Sequence, residues 1–144
     1  MADLVEVTTV KTYSELILLP TFMERFEYLQ LKGQVGIETF GFNRFVNQEL
    51  YHSYEWQKVR RKVIIRDEGC DLGIDDHPIS GKIIIHHINP ITEQMIIDRD
   101  PMVFDLNNLI CCGHITHNAI HYSDANLLPK EWVPRTANDM IPWR

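Results

Sequence analysis

Residues able to cap a helix precede apolar positions at helical spacing in the first half of the chain, and this pattern predicts three helices. The predicted helices span residues 12–20, 22–31 and 54–67. Each begins beside a side chain that can accept a hydrogen bond from the first turn, namely Thr12, Thr21 and Ser53. Residues 33–52 are aromatic and mixed in polarity, and their pattern assigns no element.

The second half of the chain carries short apolar runs that are typical of strands. Strands are predicted over residues 82–88 and 109–112, with helices near 93–98 and 114–121. The tail from residue 126 holds three prolines, which prevent regular structure, so Trp132 and Trp143 are expected to anchor it on the surface.

This order of elements predicts an α+β fold in a single domain of 144 residues. Three parts are expected: an N-terminal helical extension over residues 1–50, a core over 51–125, and an irregular C-terminal tail over 126–144 packed on that core.

Length and composition exclude several classes of protein. No apolar run approaches the roughly 18 residues of a membrane span, and the first residues resemble no secretory signal. The three cysteines are odd in number, and two of them are neighbours, so no disulfide framework is expected. We therefore predict a cytoplasmic protein that does not enter a membrane.

The net charge of −6 argues against a nucleic-acid partner, but the charge is unevenly spread. Residues 51–66 carry five basic side chains and one acidic side chain, just upstream of the first histidine cluster. A solvated helix face explains most such runs. The position beside the histidines nevertheless predicts phosphate contacts from four side chains, namely Lys58, Arg61, Lys62 and Arg66.

Two histidine clusters carry the chemistry of the chain. His117 and His121 are four residues apart on a predicted helix, so they share one face and can bind one ion. A third ligand is expected from His86 or His87 at the end of the first strand. Consecutive strand residues point to opposite faces, so regular strand geometry would turn only one of this pair toward the metal. A strand end or bend would let both serve, one as ligand and one as base.

The combination resembles the HNH endonucleases, whose core is called the ββα-metal or His-Me finger fold. The residues that carry the resemblance are His86-His87, Asn108, His117 and His121, with nine residues from Asn108 to His117. The helix around His117 is similar to the metal helix of colicin-type nuclease domains. The lead-in from Tyr54 resembles phage and mobile-element members. The resemblance covers roughly residues 50–122.

The resemblance implies a role for each matching residue. His86, His117 and His121 would bind one divalent ion, His87 would be the general base, and Asn108 would hold the loop that bears the base. The implied activity is hydrolysis of DNA phosphodiesters with Mg²⁺, Mn²⁺, Ni²⁺ or Zn²⁺. Partners implied by the family are DNA and phage terminase or packaging proteins. The N-terminal helices would supply a docking or homodimer surface.

The chain departs from the family pattern where many relatives hold a structural zinc with two Cys-x-x-Cys knuckles. Cys70 keeps one cysteine of the first knuckle, whereas Gly113 and Thr116 occupy the second, so no structural zinc is expected. Two alternatives remain open. One is a binding or assembly module that has the same fold and does not cut DNA. The other is a structural zinc protein that uses Cys111, Cys112 and His114.

Overall fold

A computed structural model describes residues 10–30 and 44–128 of the chain. The helices are α1 (Tyr13–Leu16), α2 (Phe22–Leu29), α3 (Arg44–His52), α4 (Tyr54–Asp67), α5 (Glu93–Ile97), α6 (Pro101–Phe104) and α7 (His114–Tyr122). The strands are β1 (Ile83–His87) and β2 (Leu109–Gly113). Short 3₁₀ turns occur at Asp71–Gly73, Leu106–Asn108 and Ala125–Leu127. These helices and strands confirm the predicted α+β class.

The predicted helix starts are confirmed by their capping bonds. The side chain of Thr12 accepts a hydrogen bond from the Glu15 backbone, and that of Thr21 accepts one from Glu24. Ser53 accepts a hydrogen bond from the backbone of Trp56 and starts α4. These bonds satisfy N–H groups that have no partner within the first turn of a helix.

The sequence pattern missed two helices and overextended one. α3 lies within the stretch to which no element was assigned. α6 begins at Pro101, a residue that suits the first position of a helix because its missing N–H needs no partner there. α1 ends at Leu16, before the expected stop at Pro20, because the next backbone N–H groups, of Leu18 and Leu19, bond to carbonyls only three residues back and form tighter turns.

The two strands form one antiparallel pair, in which His86 lies opposite Ile110 and His87 opposite Leu109. Alternation along each strand divides the pair into two faces, and each face joins a different core cluster. The first cluster contains Ile88, Ile110 and Cys112, together with residues of α2 and α7. The second contains Ile85, Leu109 and Cys111, together with residues of α4 and α6. The two-stranded sheet therefore separates two small hydrophobic core clusters.

A buried ion pair anchors α4 to the start of β2. Asp67 is buried, binds the guanidinium of Arg66 and accepts a hydrogen bond from the backbone N–H of Cys111 at 3.0 Å. Arg66 also donates to the carbonyl oxygens of Leu106 and Leu109, at 2.6 Å each. These bonds hold the turn before β2 against the end of α4.

Within residues 10–30 and 44–128, no helix has both the length and the apolar character needed to cross a bilayer. The prediction for the tail, with Trp132 and Trp143 as anchors, falls on residues 129–144, which lie outside the described residues.

Candidate metal centre

Three histidines converge on the face of the sheet that α7 covers. One ring nitrogen from each of His86, His117 and His121 lies within 4.8 Å of the others. The ring centroids of His117 and His121 are 4.4 Å apart, and that of His86 lies 5.3 Å from His117. The structure thus brings together the three residues that were predicted as metal ligands.

Local sequence explains why these side chains meet. His117 and His121 lie one helical turn apart on α7, and spacing of four residues puts them on one face. His86 shares its strand face with Ile84 and Ile88, which pack in the cluster that includes α7. His86 therefore points toward the helix because the strand alternates, and the apolar residues beside it hold the helix close.

The donor set suits a divalent metal ion. The Nε2 atoms of His117 and His121 are 3.2 Å apart. Two ligands on a tetrahedral ion with metal–nitrogen bonds of about 2.0–2.1 Å lie about 3.3 Å apart, so this pair already has ligand spacing. Three neutral imidazoles favour zinc, nickel or copper over magnesium or calcium, which prefer oxygen ligands. His86 is buried, whereas His117 and His121 are half-buried, so the group can be reached from one side.

His87 lies on the opposite face of the sheet, away from this group. Its ring is buried and stacks on Trp56, with ring centroids 5.3 Å apart. The Nε2 atom of His87 is 3.0 Å from the carbonyl oxygen of Val103. A carbonyl can only accept, so Nε2 carries the hydrogen and Nδ1 of the neutral ring holds the lone pair. The strand geometry therefore separates the two neighbouring histidines, as regular alternation predicts.

Asn108 holds together the two segments that surround His87. Its side-chain oxygen accepts hydrogen bonds from the backbone and the side chain of Asn89, at 2.8 and 2.7 Å. Its side-chain nitrogen donates to the carbonyl of Met102, the residue before Val103. Asn108 is itself buried. Its bonds thus set the distance between the end of β1 and the carbonyl that orients His87.

The four predicted DNA-contacting residues do not share one environment. Lys58, Arg61 and Lys62 are exposed on α4. Arg66 is different, because its guanidinium binds Asp67 and two backbone carbonyls and lies 3.5 Å from the centre of the Tyr13 ring. Arg66 thus differs from the other three, because most of its hydrogen-bonding groups hold the interior of the fold. Its contact with DNA stays a prediction.

Two cations near the histidine group were missed by the sequence reasoning. Arg60 and Lys82 line a cleft of about 340 Å³ whose wall also includes His117. Lys82 lies four residues before His86, so strand alternation places both on one face, and this signal was available in the sequence. Arg60 donates from Nη2 to the carbonyl oxygen of Ile83 at 3.0 Å, a contact that only the packing of α4 on β1 creates.

The alternative of a zinc site at Cys111, Cys112 and His114 does not agree with the geometry. The two cysteines are buried in different core clusters on opposite faces of β2, and His114 is exposed. Burial raises the pKa of the Cys111 thiol to about 12, which opposes the thiolate form that binds metals. Among the described residues, His86, His117 and His121 are the one group able to hold an ion.

A carboxylate connects the positions that correspond to the missing knuckles. Asp71 accepts hydrogen bonds from the backbone N–H of Gly113, at 3.1 Å, and from the hydroxyl of Thr116. Gly113 and Thr116 are the two residues that replace the second cysteine pair. The turn after α4 is thereby tied to the start of α7 by hydrogen bonds.

Asp71→Ala should lower the free energy of unfolding by about 2–4 kcal/mol, because two donors lose a charged acceptor. Asp71→Asn should cost less than about 1 kcal/mol, since an amide can accept from Gly113 and donate to the hydroxyl oxygen of Thr116. Urea denaturation at neutral pH measures both. Equal, small losses in the two variants would contradict this role.

Comparison of the native sequence with Asp71→Asn tests the protonation of the Asp71 carboxyl group. Burial raises the pKa of its carboxyl group, although the bonds from Thr116 and Gly113 lower it. A folded state with the higher pKa takes up its proton first, so its stability relative to the unfolded state rises as the pH falls toward about 4. The unfolding free energy of the native sequence minus that of Asp71→Asn should therefore increase as the pH is lowered.

Comparison with family models, with curated protein sequences and with solved structures finds no match for this chain.

Proposed function

We propose that this protein is a metal-dependent DNA endonuclease of the HNH, or ββα-metal, type. The observation that carries the proposal is the group of His86, His117 and His121, whose ring nitrogens lie within 4.8 Å of one another. Three protein ligands that leave further positions open are typical of catalytic, rather than structural, metal sites. A two-stranded sheet followed by a helix that covers the ligand-bearing strand supports the same assignment.

The reaction proposed is hydrolysis of a phosphodiester by water. His87 would take a proton from the attacking water at Nδ1, since its Nε2–H is engaged by the carbonyl of Val103. This step requires a bend at the end of β1, because Nδ1 is buried on the face of the sheet opposite the metal group and a base must lie within hydrogen-bond reach of the water. Asn108 would keep that carbonyl in place through its bonds to Asn89 and Met102. A divalent ion held by the three imidazoles would neutralise the charge that grows on the phosphate. The products expected from the family are a 5′-phosphate and a 3′-hydroxyl.

The exposed cations of α4 would bind the DNA backbone. Lys58, Arg61 and Lys62 have exposed side chains, and contacts of this kind give affinity without sequence preference. Arg60 and Lys82 lie closer to the metal centre, since they line the same cleft as His117. Phage origin and an association with packaging proteins stay predictions that rest on the family resemblance.

One observation favours a non-catalytic module as the second candidate. The His87 ring is fully buried between Trp56 and the carbonyl of Val103, where it could serve packing alone. The net charge of −6 also limits binding of duplex DNA. A protein with this role would bind metal and a nucleoprotein partner without cutting DNA.

Plasmid cleavage distinguishes the two candidates. The full chain is stripped of metal with a chelator and resupplied singly with Mg²⁺, Mn²⁺, Ni²⁺ or Zn²⁺. We expect nicked or linear DNA with at least one of these ions and none in the chelated sample, because the proposed reaction needs a divalent ion to neutralise the charge that grows on the phosphate.

His117→Ala and His114→Ala form a matched pair for this assay. Both remove an imidazole from α7, but only His117 belongs to the ligand group. We expect the first variant to lose cleavage and the second to retain it. Folded protein that cuts with none of the four ions would leave the binding module as the better assignment.

A further inference from the structure

The cleft beside the metal centre lies along one edge of β1. Its wall includes Ile83, Ile84 and Ile85 of the strand, residues of α3 and α4, and His117 of α7. Within the described residues β1 pairs with β2 alone, so the cleft borders the edge of the strand that β2 does not cover. Its volume of about 340 Å³ falls in the range of sites that hold small organic molecules.

The charge of the cleft is opposite to that of the chain. The net charge is −6, yet the charged side chains that line this cleft are the cations Arg60 and Lys82. The hydrogen bond to the Ile83 carbonyl fixes the guanidinium of Arg60 against the strand, and four more N–H groups of that guanidinium can serve a ligand. Lys82 is exposed at the cleft. The electrostatics therefore favour an anion next to the metal ligand His117.

The rest of the wall suits a flat ring with polar edges. Tyr51 and Trp56 contribute aromatic rings whose centroids are 5.4 Å apart. Gln57 is positioned by a hydrogen bond from its side-chain nitrogen to the carbonyl of Tyr51, at 2.6 Å.

We propose that the cleft receives one unpaired nucleotide of the substrate strand, next to the phosphate that is cut. Arg60 and Lys82 bind its phosphate, and Tyr51 and Gln57 contact its base. A base within a duplex is stacked on both faces and paired along its edge, so it cannot enter such a cleft. The inference rests on the proposed nuclease function and narrows its substrate to single-stranded or locally unpaired DNA.

The first test compares cleavage of three oligonucleotides of one sequence: a single strand, a duplex with a central bubble, and a full duplex. We expect the first two to be cut about tenfold faster than the duplex, the size of effect that base contacts give. Gln57→Trp should fill the cleft and remove this preference, since Gln57 is exposed at its wall. Lys82→Gln should slow cleavage of the unpaired substrates.

The matched control is Arg99→Gln. It also removes one exposed cation, but Arg99 does not line the cleft, and its surface contact to Glu55 at 3.6 Å contributes little. We expect Arg99→Gln to keep the native preference. If Arg99→Gln and Lys82→Gln reduce cleavage of the bubble equally, general charge explains the effect and the proposal is overturned.

The second test is binding of thymidine 5′-monophosphate and of inorganic phosphate to the metal-loaded protein, measured by calorimetry. The nucleotide should bind at least about tenfold more tightly than phosphate, and Gln57→Trp should abolish the difference. Nucleotide binding that persists unchanged in Gln57→Trp and Lys82→Gln would mean that the metal alone holds the phosphate, which overturns the cleft site.

The two tests separate this inference from the nuclease function. Equal cutting of all three oligonucleotides, without preference for the nucleotide over phosphate, would overturn the cleft site and leave the nuclease intact. Cleft-dependent nucleotide binding without cutting of any DNA would support the site and contradict the nuclease. Failure of both cutting and nucleotide binding would overturn both.

Discussion

Replacement of His87 by glutamine should lower the cleavage rate at least about 100-fold while metal affinity changes by less than about twofold. The imidazole lone pair at Nδ1, brought to the metal side by a bend at the end of β1, is the proposed base. Glutamine has no group that takes up a proton near neutral pH. His87 is not among the residues whose ring nitrogens form the metal group, so the ligand set stays complete. Single-turnover cleavage and metal titration of the same preparation measure the two quantities.

Glutamine is chosen because His87 is buried and its Nε2 donates to the Val103 carbonyl. A glutamine side-chain amide can supply that donor, which His87→Ala would leave out. Far-UV circular dichroism and urea denaturation then show that His87→Gln and the native sequence are compared in the folded state. A tenfold or greater loss of metal affinity in His87→Gln would refute the separation of base and ligands.

Metal binding should raise the free energy of unfolding, and the loss of one α7 ligand should remove most of this gain. An ion at about 100 times its Kd stabilises a folded protein by about 2.7 kcal/mol when the unfolded chain does not bind it. We expect a gain of this size for the native sequence with Zn²⁺ or Ni²⁺. His117→Ala and His121→Ala should each gain less than about 1 kcal/mol under the same conditions.

His114→Ala is the control, because His114 is exposed on the same helix and lies outside the group of three. It should respond to the metal as the native sequence does. Denaturant titrations with and without metal give the values, and chelator should return each protein to its metal-free stability. An equal metal response in His117→Ala and His114→Ala would rule out this ion site, even if plasmid cleavage were observed.

The arrangement of the two neighbouring histidines connects these predictions. β1 is one strand of a two-stranded sheet, so its alternation sends His86 to the α7 side and His87 to the α4 side. Each side chain is then held by a different core, the first by α7 and the second by Trp56. For this reason a change at His87 leaves the metal ligands in place, while the role of base requires a bend at the end of β1 that brings the His87 ring to the metal side.

Local signals in the sequence determined most of the elements near the site. Thr12, Thr21 and Ser53 start helices because their side chains satisfy backbone donors of the first turn, an effect within four residues. Spacing of four residues puts His117 and His121 on one face of any helix, and the alternation of a strand separates His86 from His87. Both periodicities follow from backbone geometry within one element, so the sequence predicts them without knowledge of tertiary packing.

Only the tertiary structure decided which cations remain available and what surrounds the site. Arg66 and Arg60 look alike in the sequence, yet one is held by Asp67 and the β2 turn, while the other lines the cleft beside His117. Asp71 accepts hydrogen bonds from Gly113 and Thr116, which lie more than forty positions away in the chain. Such contacts depend on how α4, β1 and α7 pack, and no local spacing encodes the distance between segments far apart in the chain.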